Sequence, residues 1–120
     1  MKIAISSHGD TLEARVDQRF GRAAKFILFD TSNGGFEVHD NAQSLNAAQG
    51  AGIQAAETVS RMGAQAVITG HCGPKAFKTL KAADIQVVVG AGGTVADAVD
   101  AFRSGALKPA ESADVEGHWA

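Results

Sequence analysis

Apolar residues along this chain come in short blocks separated by polar or glycine-rich turns. Ile3–Ser6 reads as a buried strand, ended by the polar run Ser7-His8-Gly9-Asp10. Phe26–Asp30 is a second strand of bulky apolar residues. Thr31-Ser32-Asn33-Gly34-Gly35 is a hairpin turn, because Asn-Gly adopts positive φ at little cost, and Phe36–His39 is its antiparallel partner. Asn41 to about Gln49 is polar and alanine-rich and reads as a loop. Over residues 51–63 the period becomes helical, with Ile53, Ala56, Val59 and Met62 on one stripe and Gly63 as the C-terminal cap. Ala66–Thr69 is a buried strand, and Pro74 then opens a helix to about Ala83. Ile85–Val89 is another strand. Thr94 caps a last helix, whose Val95, Ala98, Val99 and Phe102 share a face.

The predicted order is β-β-β-α-β-α-β-α. A hairpin followed by alternating strands and helices requires parallel strands joined by right-handed crossovers. The solution is an α/β fold, a mixed sheet of about five strands with helices on its faces. Ile3–Ser6, Ala66–Thr69 and Ile85–Val89 are expected as the parallel strands, with Phe26–Asp30 antiparallel beside the first. The domain is expected to span 1–106. Residues 107–120, with Pro109, small residues and acids, are expected to form a flexible acidic tail.

Composition narrows the function classes. A chain of 120 residues is enough for one domain. With 45% hydrophobic and 20% charged residues it is an ordinary globular protein, not a disordered one. Aromatic residues are 6% with no Tyr, which argues against a base-stacking platform. Net charge is −2; without the last eleven residues, eleven Lys and Arg stand against ten acids, so no broad basic field for nucleic acid exists. The single cysteine, Cys72, permits no internal disulfide and fits a reducing cytoplasm. The N-terminal apolar run is too short for a signal peptide, and no run approaches a membrane span.

The 14 glycines carry the chemistry. Three loops leave the carboxyl ends of the parallel strands: Ser6-Ser7-His8-Gly9-Asp10, Gly70-His71-Cys72-Gly73-Pro74-Lys75 and Gly90-Ala91-Gly92-Gly93-Thr94. Ligands of open α/β sheets bind at this edge. Two of the loops run into helix N-termini, where backbone N–H groups and the helix dipole favour an anion. The same glycines also serve tight strand-to-helix turns. Neither loop has the spacing of a dinucleotide fingerprint or a P-loop, so nucleotide binding is disfavoured. Cys72 precedes a helix N-terminus, which favours its thiolate, with His71 beside it and His8 on the neighbouring loop. Imidazole and thiolate suit soft or borderline metals, although a structural zinc site needs four ligands. A small buried Cys and surface histidines fit the same pattern. Arg19-Phe20-Gly21-Arg22-Ala23-Ala24-Lys25 sets three cations in seven residues, either an oxyanion-binding segment or a solvated face. His39 reads as a strand residue and His118 as part of the tail.

Val16-Asp17-Gln18-Arg19-Phe20-Gly21-Arg22-Ala23 through Phe29-Asp30, together with Gly70-His71-Cys72-Gly73-Pro74-Lys75-Ala76-Phe77, resembles the two signature blocks of the dinitrogenase iron–molybdenum cofactor biosynthesis family. Gly90–Val95 falls at that family's last strand-to-helix turn, and the resemblance covers about residues 1–105. It implies a ribonuclease-H-like fold, without the acidic catalytic residues of ribonucleases. It also implies non-covalent carriage of an anionic metal–sulfur cluster, a molybdenum–copper sulfide or an iron–molybdenum cofactor-like Mo/Fe–S cluster, rather than enzyme activity. Proteins that donate or accept the cluster are the implied partners. On this reading the site comprises Ser7, His8, Arg19, Arg22, Gly70, His71, Cys72, Gly73, Lys75, Gly90, Gly92 and Gly93, with Cys72, His71 and His8 as candidate metal ligands. One cysteine excludes a four-thiolate iron–sulfur cluster within a monomer. His118-Trp119 lies outside the family blocks. Two other classes remain open at this point: a small Cys/His-dependent enzyme, and a metal-independent regulatory or scaffold domain.

Overall fold

The computed structural model describes residues 1–41 and 50–111. In chain order its elements are β1 (Lys2–Ser7), β2 (Lys25–Asp30), β3 (Phe36–Asp40), α1 (Ala51–Arg61), β4 (Ala66–Ile68), α2 (Pro74–Ala82), β5 (Gln86–Val88) and α3 (Val95–Arg103). The five strands form one mixed sheet in the order β3-β2-β1-β4-β5. β1 runs antiparallel to β2, with Ile5 opposite Ile27, and parallel to β4, with Ala4 beside Val67. β4 and β5 are parallel, and β3 closes the hairpin against β2.

Strand alternation sorts the core into two layers. Ala4, Phe26, Leu28, Val67 and Val87 face α1 and α2, where they meet Ala55, Val59, Ala76 and Leu80. Ile3, Ile5, Ile27, Phe29, Ile68 and Val88 face α3, where they meet Val95, Ala98 and Val99. Each fully buried side chain of this size contributes roughly 1.5–3 kcal/mol. The sheet strands are therefore apolar on both faces, as the unbroken sequence blocks implied. β3 is the exception, exposed along most of its length.

Local signals set the element ends. Gly34 takes φ 75° in the hairpin turn, where the Asp30 carbonyl accepts its N–H. At the end of α1 the Gly63 N–H donates to Ser60 and the Ala64 N–H to Val59, closing the helix. Leu107 packs on the α3 layer, its N–H donates to Ala101, and the Ala110 N–H donates to the Val87 carbonyl on the outer edge of β5. The remainder of the expected tail, with His118 and Trp119, lies outside the described residues, as does the expected loop beyond Asn41. Among the described residues no helix is long and apolar enough to cross a membrane.

Candidate functional site

The carboxyl ends of β1, β4 and β5 lie side by side, so the three loops named from the sequence meet at one edge. They do not stand open there. The long connection from β1 to β2 runs across them as a backbone seam. The His8 N–H donates to Arg15, Val16 to Gly93, Asp17 to Ser6, Phe20 to His71, and His71 back to Gln18. Isolated bridges join Ser7 to Val16, Arg15 to Thr94 and Arg19 to His71. The Gln18 amide adds a bond to the Ala91 carbonyl at 3.1 Å. This seam was not visible in the sequence, because the connection has no periodic apolar pattern.

Buried polar groups hold the seam. Ser6 Oγ lies 2.7 Å from both the Asp17 carbonyl and Thr69 Oγ1, so one chain of hydroxyls ties β1, β4 and the seam together. The Asp17 carboxylate, only 11% exposed, accepts the Arg19 and Ala24 N–H groups at 3.2 Å and lies 3.6 Å from His8 Nδ1. Asn41, also buried, donates from Nδ2 to the Ala23 carbonyl at 2.9 Å. Asp17 and Asn41 therefore fix both ends of the Arg19–Ala24 turn, which presents Arg19 and Arg22. Sequence reading missed both as supporting residues. Asp17 was legible: an Asp two residues before an Arg has the spacing of a side-chain turn onto the i+2 amide.

The predicted site residues divide into three groups. Arg19 and Lys75 are exposed, and Arg22 and His71 are partly so, on the outer surface of the edge. His8 is exposed beside them, with its ring near Asp17. Ser7 and Gly70 serve the loops themselves. The Ser7 hydroxyl pairs with both backbone groups of Gly9, and a Cβ on Gly70 would stand 2.8 Å from the Gln18 Cα. Cys72 is fully buried in the α1/α2 layer, in the same apolar cluster as Phe20 and Ala76. Accordingly the expected metal trio of Cys72, His71 and His8 does not form, since the thiol points inward while His8 stands in solvent. Among the described residues no group of three or more His, Cys, Asp or Glu is arranged to hold a metal ion. Lys25, the third cation of the basic run, is engaged by Asp10 and Asp40, and the Asp10 contact raises its pKa.

The two glycine loops end differently. At α3 the Thr94 side chain accepts the Asp97 N–H and the Asp97 carboxylate accepts the Thr94 N–H, both at 3.1 Å, which is a complete capping box. The Val95 and Ala96 N–H groups donate to Ala14 and Leu12 on the seam. Gly90 and Gly93 take φ 84° and 72°, and with Gly92 they shape this sealed turn. At α2 the cap is Gly73, which has no side chain to offer. Pro74 follows it, the first turn carries no acid, and Lys75 stands on it. Among the described residues nothing accepts from the Lys75 or Ala76 amides. Among the described residues the start of α2 therefore has no side-chain cap and no acid, and carries the exposed Lys75, whereas the start of α3 is neutralised by Asp97.

An α/β domain with helices on both faces of a mixed sheet, and a glycine-lined strand edge bearing Arg19, Arg22 and Lys75, is the class that this geometry defines. Residues 1–105 match the family described as dinitrogenase iron-molybdenum cofactor, and the chain belongs to that family. The orange protein of Desulfovibrio gigas, solved in its apo form, is 39% identical with a TM-score of 0.93, over 95% of this chain and 96% of its own. A Thermotoga protein of the DUF35 family is 38% identical with a TM-score of 0.83, over 97% of this chain and 98% of its own. An uncharacterized Methanocaldococcus jannaschii protein is 29% identical over 114 residues, 92% of each chain.

Proposed function

We propose that this chain binds and carries an anionic metal–sulfur cluster at the carboxyl edge of its sheet, and does so without catalysis. The carrying observation is the contrast between the two helix starts. Among the described residues the first turn of α2 has neither a side-chain cap nor an acid and presents Lys75 near Arg19, while α3 is sealed by its own chain. Membership of a family named for the iron–molybdenum cofactor supports the cargo class. A bulky, soft anion suits a surface of amides, guanidinium and ammonium groups. The cargo would be held by hydrogen bonds and charge rather than by a thiolate cage, since Cys72 is buried. Of the two cargoes that the family resemblance implies, the molybdenum–copper sulfide is the form put to the test first, with an iron–molybdenum cofactor-like cluster as the other. Strand order β3-β2-β1-β4-β5 supports classing the fold as ribonuclease-H-like. Donor or acceptor proteins for the cluster, and a cytoplasmic setting, belong to the same reading.

The test is a visible spectrum with elemental analysis of anaerobically purified protein, followed by reconstitution with tetrathiomolybdate and copper. The proposal requires stoichiometric bound molybdenum and copper. Metal-free protein that gains no stoichiometric metal on reconstitution sinks it. The burial of Cys72 weighs against a thiol-dependent enzyme, and alkylation of the folded protein checks this: the thiol should react only on unfolding.

A further inference from the structure

The two edges of the sheet are treated differently by the chain. The outward carbonyl of Val87 on β5 is taken by the Ala110 N–H, so that edge is covered by the segment after α3. The β3 edge has no such cover among the described residues. Asp30 donates to Gly35, and Asn41 to Ala24, which sets the phase of the β2–β3 ladder. Glu37 and His39 therefore bond inward to β2, while Phe36, Val38 and Asp40 turn their N–H and C=O groups outward. Phe36 and Val38 also carry exposed side chains, 41% and 38%, and with Met1 they are the large apolar residues most open to solvent among those described. They lie opposite Phe29 and Ile27, so they continue the α3-side apolar row past the end of the helix cover. An edge with free ladder groups and an uncovered apolar row is a template for strand addition.

We infer that this edge pairs with β3 of a second copy of the chain, antiparallel about a two-fold axis at Val38, giving a continuous ten-stranded sheet. The side chains of β3 are self-complementary in this register. Val38 meets Val38 of the other copy, and the Glu37–His39 pair, already 3.4 Å apart within one chain, faces its inverted mate so that each Glu37 lies opposite a His39. Phe36 meets Asp40, whose carboxylate already lies 3.7 Å from Lys25 Nζ of its own chain. A register shifted by two residues would set Phe36 against Val38 but Glu37 against itself, placing like charges directly opposite, which is unfavourable. A two-fold axis perpendicular to the sheet keeps the α3 faces of both copies on one side, so the apolar rows of the two copies join at Val38. The pairing leaves the carboxyl edge uncovered and does not depend on the cluster-carrying reading.

Sedimentation of the apo protein over a range of concentrations tests this, with a reversible monomer–dimer equilibrium expected. V38K, at an exposed position, should abolish the dimer while leaving the circular dichroism and melting curve unchanged. E37K should weaken the dimer about fivefold, and the exchange E37H/H39E should restore it, because the swapped pair faces its swapped mate. V38C should form a disulfide dimer on mild oxidation, since paired Cα atoms about 5.5 Å apart lie within disulfide reach. The native Cys72 is buried and does not compete. A 12.3 kDa monomer at every concentration, or a dimer untouched by V38K, overturns the proposal. A dimer that E37K strengthens overturns the register.

Discussion

α2 and α3 begin the same way in sequence: a parallel strand, a glycine-rich turn, then a helix at the same edge of the sheet. They end up as opposites. Thr94 and Asp97 close one start, with Leu12 and Ala14 supplying carbonyls, whereas Gly73 and Pro74 leave the other without any side-chain cap. Glycine in such a turn is therefore not by itself a sign of a ligand. Gly93 is there because the backbone takes a left-handed conformation, with Asp97 packed where a side chain would point. On the proposed reading, what marks the ligand surface is a helix start with no cap among the described residues, beside cations held in place by other groups.

Four perturbations sharpen this contrast, beginning with the largest expected effect on stability. Gly70→Ala drives a methyl into the Gln18 backbone, and overpacking of this kind costs about 3 kcal/mol in urea unfolding. A change under about 0.5 kcal/mol would mean that the seam is not packed on this loop. Asp17→Asn exchanges an acceptor for a donor facing the Ala24 N–H and should cost about 2 kcal/mol. It should also lower cluster retention, because the turn carrying Arg19 and Arg22 loses its anchor. Thr94→Ala removes the α3 cap, costs about 1 kcal/mol, and should leave cluster loading intact. Lys75→Glu is the mirror case: stability moves by less than about 0.5 kcal/mol, but loading falls severalfold because a carboxylate replaces a cation on the open turn. If Thr94→Ala impaired loading more than Lys75→Glu, the two helix starts would have been assigned the wrong way round.

Asp30, in the hairpin far from this edge, gives a small pH control. The Ser32 hydroxyl and N–H donate to its Oδ1 at 2.6 and 2.9 Å and hold its carboxyl below the usual value. A native pKa lowered relative to the unfolded chain stabilises at pH above the unfolded value, and that contribution is lost as pH falls through the native one. Ser32→Ala should shift the Asp30 NMR titration upward and slightly soften acid stability, with cluster loading unchanged.

The regular elements were legible because each carries its own signal. Asn33-Gly34 marked the hairpin, Gly63 the end of α1, Pro74 the start of α2 and Thr94 the start of α3. The candidate site was only half legible. Arg19, Arg22 and Lys75 are exposed or partly exposed near the edge, whereas Cys72 is buried in the core. Its neighbours along the chain could not reveal this, since the burying residues come from β2, α1 and β5. The seam escaped for the same reason: its hydrogen bonds join residues up to about eighty positions apart, and no short-range pattern encodes them. The Thr94-x-x-Asp97 spacing was present all along. Read through, it says that this helix start satisfies itself and has nothing left for a ligand.

The central claim is that the cargo meets the chain at the start of α2. Amide NMR during titration of the apo protein with tetrathiomolybdate and copper tests it most directly. The account predicts that the Lys75 and Ala76 amides, with Arg19, shift first and furthest, while Gly92 to Ala96 barely move. Large shifts at Gly92–Ala96 with a silent Gly73–Phe77 turn would contradict it.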